Sequence, residues 1–348
     1  MKIAVDAMGG DFAPQKIVEG CVLAAQEYGT QLILAGRETE IRDELKKFPR
    51  ASNLPIEIVN AKDVIGMEES PSKASRDKKD SSIVVATRLV ADGKADAVVS
   101  AGNSGAAMTS ALRYLGRLEG VYRPAIATLI PTLRGYCIVS DVGANSDCKP
   151  EYLLQFAVMS KVFAEKVLEI SNPKIGLLSI GEEKEKGNHL TKHALPLFEA
   201  CKQINFIGNV EGRDIPKGTA DVVVCDGFVG NVVLKTMEGT ADALMKMIKT
   251  EVMNSALAKL GYILMRPALR NFKKKIDYAE YGGAPLLGVR GNCIISHGKS
   301  TGKAIKNAIR EAEKLVRTGV NEEIKHEIHD FTHPHLNDEL RHAHATLR

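Results

Sequence analysis

Six times along the chain, a short apolar run ends in a polar, glycine-bearing turn that opens a helical pattern. Ile3-Ala4-Val5 leads to Asp6-Ala7-Met8-Gly9-Gly10-Asp11, with Pro14 suited to a first helical turn. The runs Ala95 to Ser100, Tyr136 to Ser140 and Ile175 to Ile180 lead to Gly102-Asn103-Ser104-Gly105, Asp141-Val142-Gly143-Ala144-Asn145 and Gly181-Glu182-Glu183. Asp221 to Cys225 leads to Asp226-Gly227-Phe228-Val229-Gly230-Asn231, and Cys293 to Ser296 leads to His297-Gly298-Lys299-Ser300-Thr301-Gly302. The runs are near-continuously apolar instead of alternating, as in strands that helices cover on both faces. Their alternation with helices predicts an α/β fold with a doubly wound, mainly parallel sheet. Such sheets bind ligands outside the carboxyl ends of their strands, where these turns would gather. Turn chemistry alone explains any one of these glycines. Six turns in the same position predict a site.

The 348 residues, 44% hydrophobic, suffice for one large α/β domain or two smaller ones. The expected division is a single domain over residues 1–325, followed by a His-rich tail over 326–348. A net charge of +4, no Trp and 5% aromatic residues argue against a nucleic-acid partner. Six cysteines without CxxC spacing read as reduced thiols, not as a disulfide or zinc framework. The first residues enter a strand pattern without a secretory leader, and no apolar run approaches a membrane span, so a cytoplasmic location is expected. The histidines from His326 to His344 fit a solvated tail better than a metal tract. His189 and His193 lie four apart, but without a glutamate in HExxH order they read as surface residues.

The sharpest local signal is Gly102-Asn103-Ser104-Gly105, between a strand and a helical stretch. Glycines there turn successive amides toward one point, and the helix start adds unpaired donors and partial positive charge. Asn103 and Ser104 add side-chain donors. The loop suits a phosphate or an oxyanion, although an N-capping turn without a ligand would read the same way. Neither this loop nor the Gly9-Gly10 turn has G-x-G-x-x-G spacing, which disfavours a dinucleotide fingerprint. His297-Gly298-Lys299-Ser300 ends like a P-loop, but Cys293 stands where the earlier glycine belongs. Ser104 lacks a Gly-x-Ser-x-Gly elbow and is a weak nucleophile candidate.

Taken in order, the turns that begin at Asp6, Gly102, Asp141, Gly181 and Asp226, with Tyr281-Gly282-Gly283-Ala284-Pro285-Leu286-Leu287-Gly288, resemble the phosphate acyltransferase family of bacterial phospholipid synthesis. The resemblance runs from residue 1 to about 320, with no departure in these motifs. It implies a fold related to the phosphotransacetylases and to the isocitrate and isopropylmalate dehydrogenases. It also implies a homodimer, peripherally associated with the inner face of the cell membrane, that moves a fatty acyl group from acyl carrier protein to inorganic phosphate. The product would feed a glycerol-3-phosphate acyltransferase. Phosphate attack on a thioester needs an anion site and an oxyanion stabiliser, but no metal, redox cofactor or protein nucleophile. On this reading Asn103, Asn145 and Lys184 are the expected catalytic residues. Gly102, Ser104, Gly105, Asp141, Glu182, Asn231 and His297 are expected to line the substrate site. Lys184 lies in the charged run Glu182 to Lys186, which can equally be a solvated face.

Residues 240–276 break the rhythm. Leu244, Met245, Met247, Ile248, Val252, Met253, Leu257 and Leu260 recur at helical spacing, Gly261 ends that pattern and Pro267 can start another. The expectation is a protruding helical hairpin with Tyr262-Ile263-Leu264-Met265 at its tip. Lys259, Arg266, Arg270, Lys273, Lys274 and Lys275 are the only charged residues from 259 to 275. An apolar tip with basic flanks suits an anionic membrane surface, and a dimer-interface helix pair fits the same pattern. The same charge, or Arg76, Lys78 and Lys79, could dock an acidic carrier protein. Rival readings are a phosphotransacetylase-type enzyme acting on acyl-coenzyme A, a dehydrogenase of the same fold class, and a non-catalytic membrane adaptor. Polar loops at strand ends disfavour the adaptor, which has no need of a phosphate cradle.

Overall fold

The structure, a computed structural model, describes residues 1–276 and 278–332. Its strands are β1 (Lys2–Asp6), β2 (Gln31–Gly36), β3 (Ile56–Asn60), β4 (Ala97–Ser100), β5 (Ala125–Thr132) and β6 (Gly135–Ser140). There follow β7 (Lys174–Leu178), β8 (Asn205–Val210), β9 (Val222–Val224), β10 (Ala284–Leu287) and β11 (Asn292–Ile295). The helices are α1 (Gln15–Tyr28), α2 (Glu38–Leu45), α3 (Pro71–Asp77), α4 (Ser82–Ala91), α5 (Ser104–Ser110) and α6 (Pro150–Val167). The remaining helices are α7 (His189–Ala200), α8 (Gly227–Met253), α9 (Ala256–Ile276), α10 (Gly302–Thr318) and α11 (Val320–Thr332).

All the strands join one sheet in the order β3-β2-β1-β4-β11-β10-β5-β6-β9-β7-β8. The pairings among β3, β2, β1, β4 and β11 are parallel, as are those among β6, β9, β7 and β8. Between these halves, β11–β10, β10–β5 and β5–β6 are antiparallel. Three reversals in a row make the two parallel halves run in opposite directions. The sheet is mainly parallel, as expected, but its polar loops fall into two groups, one for each half.

One face of the sheet holds a core that includes Ile3, Val5, Leu32 and Leu34, beneath α1, α10, α6 and α11. The other holds Ala4, Ile33, Val98 and Val139, beneath α4, α5 and the first turns of α8. Helix α6 lies deepest and buries Leu153, Leu154, Phe156, Met159, Val162 and Phe163. Each such side chain contributes roughly 1.5–3 kcal/mol of apolar burial.

The arm differs from its predicted form. Helix α8 ends at Met253 and α9 starts at Ala256, so the hairpin turns at Asn254 and Ser255. The Ser255 hydroxyl accepts from the Ala258 amide at 3.3 Å and caps α9. Gly261 and Pro267 lie inside α9, and Tyr262–Met265 form its exposed middle instead of the tip. The helix runs through both, although an interior glycine costs about 1 kcal/mol and an interior proline about 3 kcal/mol. The side chains of Lys273, Lys274 and Lys275 lie outside the described residues.

Helix α11 continues to Thr332, with Ile324 and Ile328 buried and Glu327 paired to Lys161 at 3.0 Å. The residues from His326 to Thr332 therefore continue a helix packed on the domain. The rest of the His-rich stretch lies outside the described residues. No helix among the described residues is long and apolar enough to cross a membrane.

Candidate active site

Two buried carboxylates organise the loops, one in each half of the sheet. In the first half, Asp6 ends β1 and accepts from the Ser100 hydroxyl at 2.7 Å, and that hydroxyl accepts from the Gly102 amide at 3.1 Å. Burial pushes the Asp6 carboxyl up from its ordinary pKa, against the hydrogen bonds it accepts. In the second half, Asp141 Oδ1 accepts from the amides of Ile126 (3.0 Å) and Ala144 (3.1 Å). Its Oδ2 accepts from the amide (2.7 Å) and the side chain (2.9 Å) of Asn145. Burial raises this pKa too, against those same four bonds. A Cβ on Gly230 would collide with the Asp141 carbonyl, and one on Gly227 would lie 2.7 Å from Asp141 Oδ2. Glycine one turn apart thus lets the start of α8 settle on the Asp141 loop.

Where the halves meet, the loops enclose a cleft of about 240 Å³. Its floor is apolar, from Ile126, Leu129, Val142 and Ile295, and its wall is one face of α8. The polar groups include Ser104, Thr128, Asn231, Lys235, Glu238, Ser296 and His297, with Gly143 and the Tyr281–Ala284 segment. A mostly apolar hollow with a few convergent polar groups is the ordinary form of a small-molecule site. A larger cavity, about 730 Å³, lies at the amino ends of β4 and β11 and includes none of these loops.

Of the expected residues, Ser104, Asn231 and His297 come together on the cleft. Ser104 opens α5, whose first amides have no intrahelical acceptor. His297 Nδ1 accepts from the Lys299 amide at 3.0 Å, so a neutral ring carries its proton on Nε2. Burial first, and then the charge of Lys235, lowers the His297 pKa.

The other expected residues serve the framework or lie elsewhere. Asn103 is an N-cap: Oδ1 accepts from Ala106, while Nδ2 donates to the carbonyls of Gly66, Met67 and Glu69 at 3.4, 3.0 and 3.2 Å. That amide fastens the segment before α3 and has no donor left for substrate. Asn145 Nδ2 is likewise shared between Asp141 and the Pro124 carbonyl. Asp141 is the anchor described above, the Gly102 amide is taken by Ser100, and Gly105 packs against Pro71. Lys184 is exposed and pairs with Glu199 at 2.6 Å, which raises its pKa. Neither Lys184 nor Glu182 lines the cleft.

Sequence reasoning missed Lys235 and Glu238. They follow Asn231 at i+4 and i+7, so placing Asn231 on a helix would have put both on its face. Among the described residues, no cysteine lines the cleft. Burial pushes Cys137, Cys148 and Cys293 up to about 12, and Cys225 also rises. The cleft offers donors and a cation around an apolar floor, which suits an acyl acceptor that brings its own nucleophile.

The family model for a fatty acid synthesis protein matches residues 1–323. A phosphate acyltransferase from Endomicrobium trichonymphae is 53% identical over 331 residues, covering 93% of this chain and 98% of that protein. Among solved structures, a phosphotransacetylase from Streptococcus pyogenes aligns with a TM-score of 0.58 at 18% identity, over 90% of this chain and 94% of that one. A 4-hydroxythreonine-4-phosphate dehydrogenase from Klebsiella pneumoniae aligns with a TM-score of 0.51 at 14% identity, over 91% of this chain and 98% of that one. The two structural likenesses establish the fold that phosphotransacetylases share with a dehydrogenase. The sequence match goes further: the chain belongs to the phosphate acyltransferase family and is an enzyme of that kind.

Proposed function

We propose that the enzyme transfers a fatty acyl group from acyl carrier protein to inorganic phosphate, by direct attack of phosphate on the thioester. The acyl phosphate then serves a glycerol-3-phosphate acyltransferase in phosphatidic acid synthesis. The observation that carries this reading is the cleft at the seam of the two half-sheets, apolar below and ringed by donors from both. The acyl chain takes the apolar floor. Ser104, Asn231 and the Nε2–H of His297 receive phosphate or the developing oxyanion, where fixed donors in a water-poor site are most effective. Asp6, Asp141, Asn103 and Asn145 hold the loops in that geometry. Glu182 and Lys184 are left out of the assignment.

The test is acyl phosphate formation from matched carrier-protein and coenzyme A thioesters. Preference for the carrier-protein donor is expected. Equal use of both donors would favour a phosphotransacetylase-type enzyme, and loss of neither would remove the acyl-transfer reading.

The arm supports a second part of the proposal: a homodimer that works on the inner face of the cell membrane. Only Gly227 and Gly230 are buried along α8, whereas Leu257, Leu260, Ile263 and Leu264 are exposed along α9. Lys259, Arg266 and Arg270 are also exposed on α9, and each basic residue near anionic lipid contributes about 1 kcal/mol. A second copy would cover part of α8 and set two such helices side by side. Co-sedimentation of Leu264→Glu with anionic vesicles tests the membrane role, and sedimentation velocity tests the dimer.

A further inference from the structure

The cleft wall on α8 presents Asn231, Leu234, Lys235 and Glu238, spaced as one helical face. Among the described residues lining the cleft, Lys235 is the one lysine or arginine. Its ammonium meets Glu238 at 2.8 Å, with 49% and 28% of the two side chains exposed. A half-exposed pair three residues apart is a weak interaction, readily exchanged for a better one. Both charges also reach His297, across the cleft mouth, where Lys235 lowers the imidazole pKa and Glu238 raises it.

We propose that Lys235 is the cation that receives the phosphate nucleophile, and that Glu238 is its resident counter-ion, displaced as phosphate enters. This rests on phosphate being the acyl acceptor. Monohydrogen phosphate carries two negative charges and more acceptor atoms than a carboxylate, so it competes with Glu238 for the ammonium. A phosphate oxygen forms the new bond to the thioester carbon, and the carbon–sulfur bond breaks. The proton that phosphate gives up equals the one taken by the departing thiolate. Lys235 therefore acts by charge and position and contributes no proton. Glu238 has a consequence of its own: a singly charged carboxylate gains nothing by displacing it, so the pair favours phosphate over small organic acids.

Inorganic phosphate should be titrated calorimetrically into the wild-type protein and into Lys235→Met, Lys235→Arg, Glu238→Gln and Lys202→Ala. Steady-state kinetics on an acyl thioester would run alongside. Lys235→Met should weaken phosphate binding and raise its KM about 10- to 100-fold, the effect of one lost charge-assisted contact. The thioester KM should move far less. Lys235→Arg should recover most of the loss, and Glu238→Gln should tighten phosphate binding. Lys202 is exposed and lies outside the cleft lining, so its variant should stay near wild type. Phosphate binding by Lys235→Met equal to wild type overturns the proposal, as does weakening by Glu238→Gln. If phosphate binds through Lys235 but no acyl phosphate forms, the cation assignment stands and the acceptor reading fails.

Discussion

The two ends of helix α8 obey different rules. Its first turns rest on the Asp141 loop through Gly227 and Gly230, and the Asp226 side chain caps them by accepting from Val229 at 2.9 Å. These close approaches tie the cleft wall to the Asp141 loop. Beyond Glu238 the same helix leaves the domain and exposes Leu244, Met247, Ile248 and Met253. That stretch packs against α9 and little else. Contacts within the domain fix the first region, whereas the second leaves large apolar side chains exposed.

The sharpest way to break this contrast is Asp141→Ala. It strands the amides of Ile126, Ala144 and Asn145 at about 1–3 kcal/mol each where they stay dry. A loss of roughly 3 kcal/mol or more is expected in thermal or denaturant unfolding, together with loss of turnover. A small loss would mean that the loop has other support. Next comes Asn103→Ala, which removes a helix cap worth about 1 kcal/mol and releases the segment at Gly66 to Glu69. Faster proteolysis there, with a modestly lower melting temperature, is the expected result.

Leu264→Glu should leave stability within about 0.5 kcal/mol, as for a surface change, while vesicle binding falls. A large drop in melting temperature would place Leu264 in a packed interior and undo the contrast. The smallest effect concerns His297. Its folded pKa lies below the ordinary 6.5, so the ring's stability contribution is present above 6.5 and lost as pH falls through the folded value. NMR titration of the imidazole should show a midpoint below 6.5, moved upward by Lys235→Met. No movement would separate the two side chains in space.

Much of the fold was legible, because continuous apolar runs and glycine turns are local signals. The reversal at β10, β5 and β6 was not, since strand direction depends on pairings that apolar runs do not encode. That one omission explains the uneven site reading. Ser104, Asn231 and His297 belong to loops that the seam brings together, whereas Lys184 sits on a loop of the second half that turns elsewhere. The partners of Asn103 were hidden for another reason. An amide that could serve a ligand serves three carbonyls more than thirty residues away in sequence, and nothing local shows that they are near. Lys235 was hidden because its face of α8 lines the cleft only once Gly230 has seated the helix.

Because the cleft wall and the arm are one uninterrupted helix, they are also one lever. At about 1.5 Å per residue, 27 residues span about 40 Å. A tilt of about 5° at the seated end would then carry the far end about 3.5 Å. The fulcrum is the pair of glycines on Asp141, with Asn231 and Lys235 close to it and the exposed apolar turns farther out on the same side. Whatever holds the far turns therefore bears on the angle at which Asn231 and Lys235 face the cleft.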